Sequence, residues 1–68
     1  MKARTYSNNL RKLRIKSKKS RLEVANAVGV SVSSIAMYEQ GERVPRDDTK
    51  VKLAKYFNTT VSAIFFAT

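Results

Sequence analysis

Two capping serines, each followed by a helix-ending glycine, constrain this sequence more strongly than any other feature. Ser20 and Glu23 form the pattern S-x-x-E, in which a hydroxyl and a carboxylate each accept a hydrogen bond from a backbone N–H at the start of a helix. Gly29 supplies the left-handed backbone that ends such a helix, because residues with a Cβ resist it. Ser31 and Gly41 repeat the cap and the ending directly afterwards. The sequence therefore predicts two short helices joined by a turn of about three residues.

Helical spacing extends over the rest of the chain. Strand signals are nearly absent, because apolar residues recur at helical rather than alternating intervals. We predict a first helix over residues 8–17 capped by "SNN", a fourth helix capped by Asp47 or Asp48 and ending near Phe57, and a last short helix after "NTT". The apolar stripe of the fourth helix is predicted as Val51, Leu53, Ala54 and Phe57. The predicted fold class is all-α, with five short helices.

The residues of the two middle helices fit a steep crossing between them. Such a crossing requires a small residue at the close approach, a glycine in the turn and apolar side chains that fill the angle. Ala25 and Gly29 meet the first two requirements. The apolar positions are Val24, Val28, Val30, Ile35 and Tyr38. We therefore predict a helix-turn-helix over about residues 20–40.

Length and composition limit the other possibilities. A chain of 68 residues makes one small domain, predicted over residues 8–68, after a basic N-terminal arm over residues 1–7. The sequence has no Cys and no His, which removes thiolate metal sites, the usual general base and the usual zinc ligand, and leaves Ser and Tyr without a base to activate them. We therefore expect no enzymatic activity, no metal, no cofactor and no small-molecule substrate. Because no apolar run is long enough to span a bilayer, we expect a soluble cytoplasmic protein without a membrane partner.

The charge balance is strongly basic. Fourteen Lys and Arg stand against five Asp and Glu, for a net charge of +9. No acid precedes Glu23, and the basic residues up to that point are Lys2, Arg4, Arg11, Lys12, Arg14, Lys16, Lys18, Lys19 and Arg21. Charge runs can simply be solvated helix faces, but so lopsided a charge costs self-repulsion and favours a polyanionic partner.

From Leu10 to Phe65 the chain resembles the Cro/CI-type helix-turn-helix family of phage repressors and related small bacterial regulators. The resemblance implies a five-helix, lambda-repressor-like domain that binds double-stranded DNA as a homodimer, with helix 3 in the major groove. It also implies a repressor-like, sequence-specific transcriptional regulator in the cytoplasm of a bacterial cell or a phage-infected host.

The resemblance also implies roles for particular residues. Arg14 and Glu39 match a pair that forms a partly buried ion bridge between helices 1 and 3. Arg21 matches a position at the start of helix 2 that contacts the DNA backbone. Four residues occupy the base-reading positions of helix 3: Val32, Ser33, Ala36 and Met37. The full set predicted to contact DNA phosphates is Ser20, Arg21, Arg43, Arg46 and Lys50.

The predicted base-reading residues carry few long polar side chains. One interpretation is that Val32, Ala36 and Met37 contact thymine methyl groups while Ser33 makes one adaptable hydrogen bond. The other is that this apolar face binds a protein, which would make the chain an interaction module that modulates another regulator. A membrane-active basic peptide is a weaker third alternative, because the caps and internal glycines indicate an ordered fold.

The C-terminal residues raise the question of dimerisation. Phe57 and Phe65 fit the predicted core stripe, whereas Phe66, next to Phe65, must face elsewhere. We predict that Val61, Ile64 and Phe66 pack across a two-fold axis. Such a dimer would read DNA half-sites about 34 Å apart.

Overall fold

The computed structural model describes residues 9–66, without the side chain of Phe66, and within that range it contains helices and no strand. The predicted N-terminal arm, residues 1–7, lies outside the described residues. The helices are α1 Leu10–Lys16, α2 Arg21–Val28, α3 Val32–Gln40, α4 Asp47–Tyr56 and a C-terminal π-helix Ser62–Phe66. This confirms the all-α class with five short helices. In the described range, no helix combines the length and apolarity required to cross a membrane.

The caps of α2 are those predicted from the sequence. Ser20 Oγ accepts a hydrogen bond from the Glu23 N–H at 3.0 Å, and the Ser20 N–H donates to Glu23 Oε1 at 2.8 Å. The helix ends at Gly29, whose φ of 76° lies in the left-handed region. These reciprocal bonds satisfy backbone N–H groups that a helix leaves without partners at its start.

The caps of α3 repeat this arrangement. Ser31 Oγ accepts from the Ser34 N–H at 3.1 Å, and Gly41 ends the helix with a φ of 75°. The turn between Gly29 and Ser31 contains Val30, which packs half-buried against the core. The helix-turn-helix is therefore bounded by the serines and glycines that predicted it.

The start of α4 differs from the prediction. Its N-cap residue is Arg46, in extended backbone with ψ 161° and without a side-chain cap, so neither Asp47 nor Asp48 is the cap. Both carboxylates lie inside the first turn, and Asp48 Oδ1 accepts from the Thr49 N–H at 2.9 Å. There they still favour the helix, because the N-terminal end of a helix dipole attracts negative charge.

The start of α1 also departs from a simple side-chain cap. Asn9 is the N-cap residue, but its side chain makes no capping hydrogen bond. Instead, Asn9 Nδ2 donates to the Ala63 carbonyl at 2.9 Å, and the Asn9 N–H donates to the Ile64 carbonyl at 2.8 Å. These two bonds connect the beginning of α1 to the C-terminal π-helix.

One core holds the helices together, with α2 packed on both α3 and α4, and α1 on α3. Its buried apolar residues are Leu10, Val24, Ala25, Val28, Ile35, Tyr38, Leu53, Ala54, Ile64 and Phe65. Val51 was predicted to belong to this core, but it is 44% exposed, whereas Thr49 is buried. Val51 lies two residues from Leu53, and residues so spaced point to opposite sides of a helix.

Candidate nucleic-acid interface

The four predicted base-reading residues lie on the side of α3 that faces away from the core. Ile35 and Tyr38 turn into the core, while Val32 and Met37 remain 41% and 39% exposed. Ser33 is exposed and Ala36 is half-buried between them. Helical spacing places Val32, Ser33, Ala36 and Met37 side by side, and we call these four residues the reading face.

A buried carboxylate lies behind this helix. The Glu39 side chain has no exposed surface, and its Oε2 accepts a hydrogen bond from Arg14 Nε. Arg14 Nη2 donates to Glu39 Oε1 at 3.2 Å, and Arg14 Nη1 donates to the Lys19 carbonyl at 3.0 Å. The structure therefore brings together the predicted pair, Arg14 and Glu39, and adds a backbone carbonyl to it. A bidentate arginine is the partner that a buried carboxylate requires.

Arg21 has a partner that the sequence analysis missed. Its Nε donates to Glu39 Oε1 at 3.2 Å, while its side chain stays 40% exposed. Arg21 is the first residue of α2 and Glu39 lies near the end of α3, so only the packing of the two helices creates this contact. No local pattern relates Arg21 to Glu39, because the two residues lie 18 positions apart in the chain.

The start of α2 also holds an electrostatically tuned carboxylate. The hydrogen bond from the Ser20 N–H keeps the pKa of Glu23 below its ordinary value of 4.5; partial desolvation opposes the shift, and Lys19 and the Ser20 hydroxyl add to it. The Ser20 hydroxyl, predicted to contact a phosphate, is exposed and already accepts the Glu23 N–H. It retains a proton that it can donate.

The cations after α3 divide into two groups. Arg43 and Arg46 are exposed and line a cleft of about 510 Å³ between the turn before α3 and the start of α4. Ser34 and Lys52 line the same cleft and were not predicted as site residues. The spacing of Lys52 was the available signal for its place in the cleft. Lys52 lies four residues after Asp48, at the start of α4, and residues four apart share a helix face.

Lys50, by contrast, packs into the fold. Its side chain is only 14% exposed, and Nζ lies 3.9 Å from Asp47 Oδ1 and 5.9 Å from the centroid of the Phe65 ring. An ammonium group over an aromatic ring is stabilised by the negative face of the ring. Lys50 is therefore less accessible to a phosphate than the exposed Arg43 and Arg46, and its predicted phosphate contact stays a prediction.

Two of the three predicted dimer residues, Val61 and Ile64, have side chains that the structure describes. Ile64 is fully buried, so its side chain cannot line a contact between two copies, which corrects that prediction. Val61 is half-buried and packs against the core. The side chain of Phe66 lies outside the described part of the structure. Ile64 is buried because the bonds from Asn9 hold its turn against α1.

Comparison with known proteins agrees with this geometry. A helix-turn-helix family model matches residues 10–64. Over 59 residues the chain is 32% identical to the cryptic phage CTXphi transcriptional repressor RstR of Vibrio cholerae. The match covers 87% of this chain and 53% of RstR, so the chain spans about half the length of that relative. The capped pair α2 and α3 and the match over most of its length show that this chain belongs to the Cro/CI-type helix-turn-helix family.

Proposed function

We propose that this chain is a sequence-specific, DNA-binding transcriptional regulator of the repressor type, with α3 inserted into the major groove. The observation that carries the proposal is the reading face: four adjacent side chains on the outer side of a helix that is capped and held by the motif. An α-helix fits the major groove, where each base pair presents a distinct pattern of groups. The similarity to a phage transcriptional repressor supports the same function.

Phosphate contacts would supply most of the affinity. Ser20 and Arg21 lie at the N-terminal end of α2, where backbone N–H groups also favour an anion. Arg43 and Arg46, which line the cleft between the turn before α3 and the start of α4, would contact further phosphates. Such contacts position a protein without reading sequence, and the net charge of +9 strengthens them at low salt.

The reading face would recognise bases mainly through apolar contacts. Val32, Ala36 and Met37 present methyl and thioether groups that suit thymine methyls, and the hydroxyl of Ser33 can donate or accept one hydrogen bond. Each bidentate base contact that is absent forgoes about 1–3 kcal/mol of discrimination. We therefore expect modest specificity, with a contribution from DNA shape.

Two copies would bind together on an inverted repeat. Homodimers match two-fold symmetric operators, with half-sites about 34 Å apart. Phe66 and the half-buried Val61 are the candidates for the contact between copies in this proposal. We propose a cytoplasmic location, where the DNA of a bacterial cell or an infecting phage is accessible.

The test is selection of random DNA duplexes by the purified protein at near-physiological salt, followed by sequencing. We expect an enriched inverted repeat with thymines at the positions that face α3. Ser33→Glu adds a carboxylate to the reading face and should abolish the enrichment. Ser62→Glu makes the same charge change at an exposed serine of the C-terminal π-helix and should preserve it.

A second candidate function is a protein-interaction module that modulates another regulator. The observation in its favour is that Val32 and Met37 remain substantially exposed on the reading face. Met-containing surfaces adapt to varied protein partners. If selection enriches no DNA sequence, this candidate replaces the first, and Ser33→Glu should then abolish capture of the partner protein.

A further inference from the structure

Two arginines bind the buried Glu39 carboxylate, although one would be enough to compensate its charge. Arg14 binds the carboxylate through two nitrogens and is itself 12% exposed, so it can compensate the buried charge without help. Arg21 adds a second guanidinium to the same carboxylate. The cluster of Arg14, Glu39 and Arg21 therefore carries a net positive charge. Arg21 has the most exposed side chain of the three, at 40%.

The geometry of Arg21 leaves part of its guanidinium available. Nε carries one N–H and donates it to Glu39 Oε1 at 3.2 Å. Nη1 and Nη2 carry the other four N–H groups, and neither has a hydrogen-bond partner within residues 9–66. The edge formed by these two nitrogens can bind a phosphate through two parallel hydrogen bonds.

We propose that Glu39 is a positioning residue for DNA binding: it fixes Arg21 through Nε so that the Nη1–Nη2 edge binds a backbone phosphate. A free arginine on a surface helix would lose much rotamer freedom on binding, and a side chain held in advance loses less. Because Glu39 belongs to α3, the same carboxylate sets the phosphate contact relative to the reading face. This inference rests on the proposed DNA binding.

The direction in which one substitution changes the affinity for DNA separates positioning from simple electrostatics. Glu39→Gln removes a negative charge close to the proposed DNA surface, so electrostatics alone predicts tighter binding. Loss of positioning predicts weaker binding. Glu42→Gln is the matched control, because it makes the same charge change at an exposed residue just after α3 that does not contact Arg21. The Glu42→Gln variant should bind DNA at least as tightly as the unmodified protein.

The experiment is a double-mutant cycle of Arg21→Gln and Glu39→Gln, with affinity measured for the selected duplex and a scrambled duplex at several salt concentrations. We expect Glu39→Gln to weaken binding to both duplexes by roughly tenfold when Arg21 is present, and by less than about twofold in the Arg21→Gln background. Arg21→Gln should reduce the slope of log affinity against log salt by about 0.9, the value for one phosphate. Equal effects of Glu39→Gln in both backgrounds would overturn the inference.

Folding of the variants is checked by circular dichroism, because Glu39→Gln leaves Arg14 buried without its carboxylate. If that variant is unfolded, Arg21→Lys decides, since it keeps both the charge and the bond between Arg14 and Glu39. A lysine ammonium cannot form the two parallel hydrogen bonds that a guanidinium edge forms with a phosphate, so we expect the affinity for DNA to fall roughly fivefold. Unchanged affinity would overturn the inference. If the unmodified protein binds both duplexes with equal affinity, sequence-specific binding is refuted. The double-mutant cycle on the scrambled duplex would still measure whether Glu39 positions Arg21.

Discussion

Single residues determine where the two helices of the motif begin and end. Gly29 adopts φ 76°, and a Cβ added to it would meet no atom within 4 Å. The need for glycine is therefore conformational and not a matter of space. Ser20 and Glu23 likewise act locally, through hydrogen bonds to backbone groups three positions away.

Gly29→Ala should lower the free energy of unfolding by about 1–2 kcal/mol, the cost of left-handed backbone for a residue with a Cβ. Gly29→Asn should lower it less, because Asn tolerates this conformation better. Denaturant unfolding of both variants measures the difference. Equal stability of the alanine variant and the parent would show that the turn has another conformation in solution.

Glu23→Gln should destabilise the protein in a pH-dependent way. The pKa of Glu23 is lowered in the folded protein, mainly by the hydrogen bond from the Ser20 N–H. Its charge therefore contributes stability above the unfolded pKa, and this contribution disappears as pH falls through the folded pKa. We expect the variant to melt below the parent near neutral pH and together with it in strong acid. Melting curves at several pH values test this, with Glu42→Gln as the control for general loss of negative charge.

At the scale of helices, α3 has one buried side and one exposed side. Ile35 and Tyr38 bury one side in the core, and the reading face covers the other. Glu39 then connects the end of the helix to α1 and to the start of α2. If the proposed function holds, we therefore expect substitutions on the reading face to change DNA recognition while the packing of the motif remains intact.

Met37→Ala should alter the preferred base at one position of each half-site. Met37 is 39% exposed, so the free energy of unfolding should change by only about 0.5 kcal/mol. Val51→Ala is the control, because Val51 is a similarly exposed apolar residue on α4, outside the reading face. Selected-sequence profiles of the two variants are compared with the parent. A profile that Met37→Ala leaves unchanged would remove this residue from the proposed recognition.

At the scale of the molecule, hydrogen bonds between the start of α1 and the C-terminal π-helix support a small core. Asn9 joins the start of α1 to the carbonyls of Ala63 and Ile64. Ile64 and the adjacent Phe65 are buried in the core. The side chains of these two residues are therefore not available for the proposed contact between copies.

Phe66→Glu should convert a dimeric parent into a monomer, because it places a charge in an apolar contact between copies. Sedimentation at concentrations above and below the dimer dissociation constant measures the mass. Ser62→Glu, on the same short π-helix, should leave the mass unchanged. A Phe66→Glu protein that remains dimeric would place the contact elsewhere on the surface.

The features that the sequence determined by itself are local. The capping box at Ser20, the cap at Ser31 and the glycine endings at Gly29 and Gly41 depend on atoms within one helical turn, so their residue types predict them directly. The same holds for the all-α class, which follows from helical spacing. The base-reading residues, by contrast, were assigned from the family resemblance, because spacing alone does not say what a helix face binds.

The tertiary structure decided which distant groups meet. The side chain of Asn9 binds the C-terminal segment, and Lys50 lies over Phe65. Glu39 receives Arg21 as well as the expected Arg14. None of these partners lies within the reach of a local pattern, because each depends on the angle and register at which whole helices pack. That packing is set by the shared core, whose apolar side chains are far apart in sequence and exclude water only together.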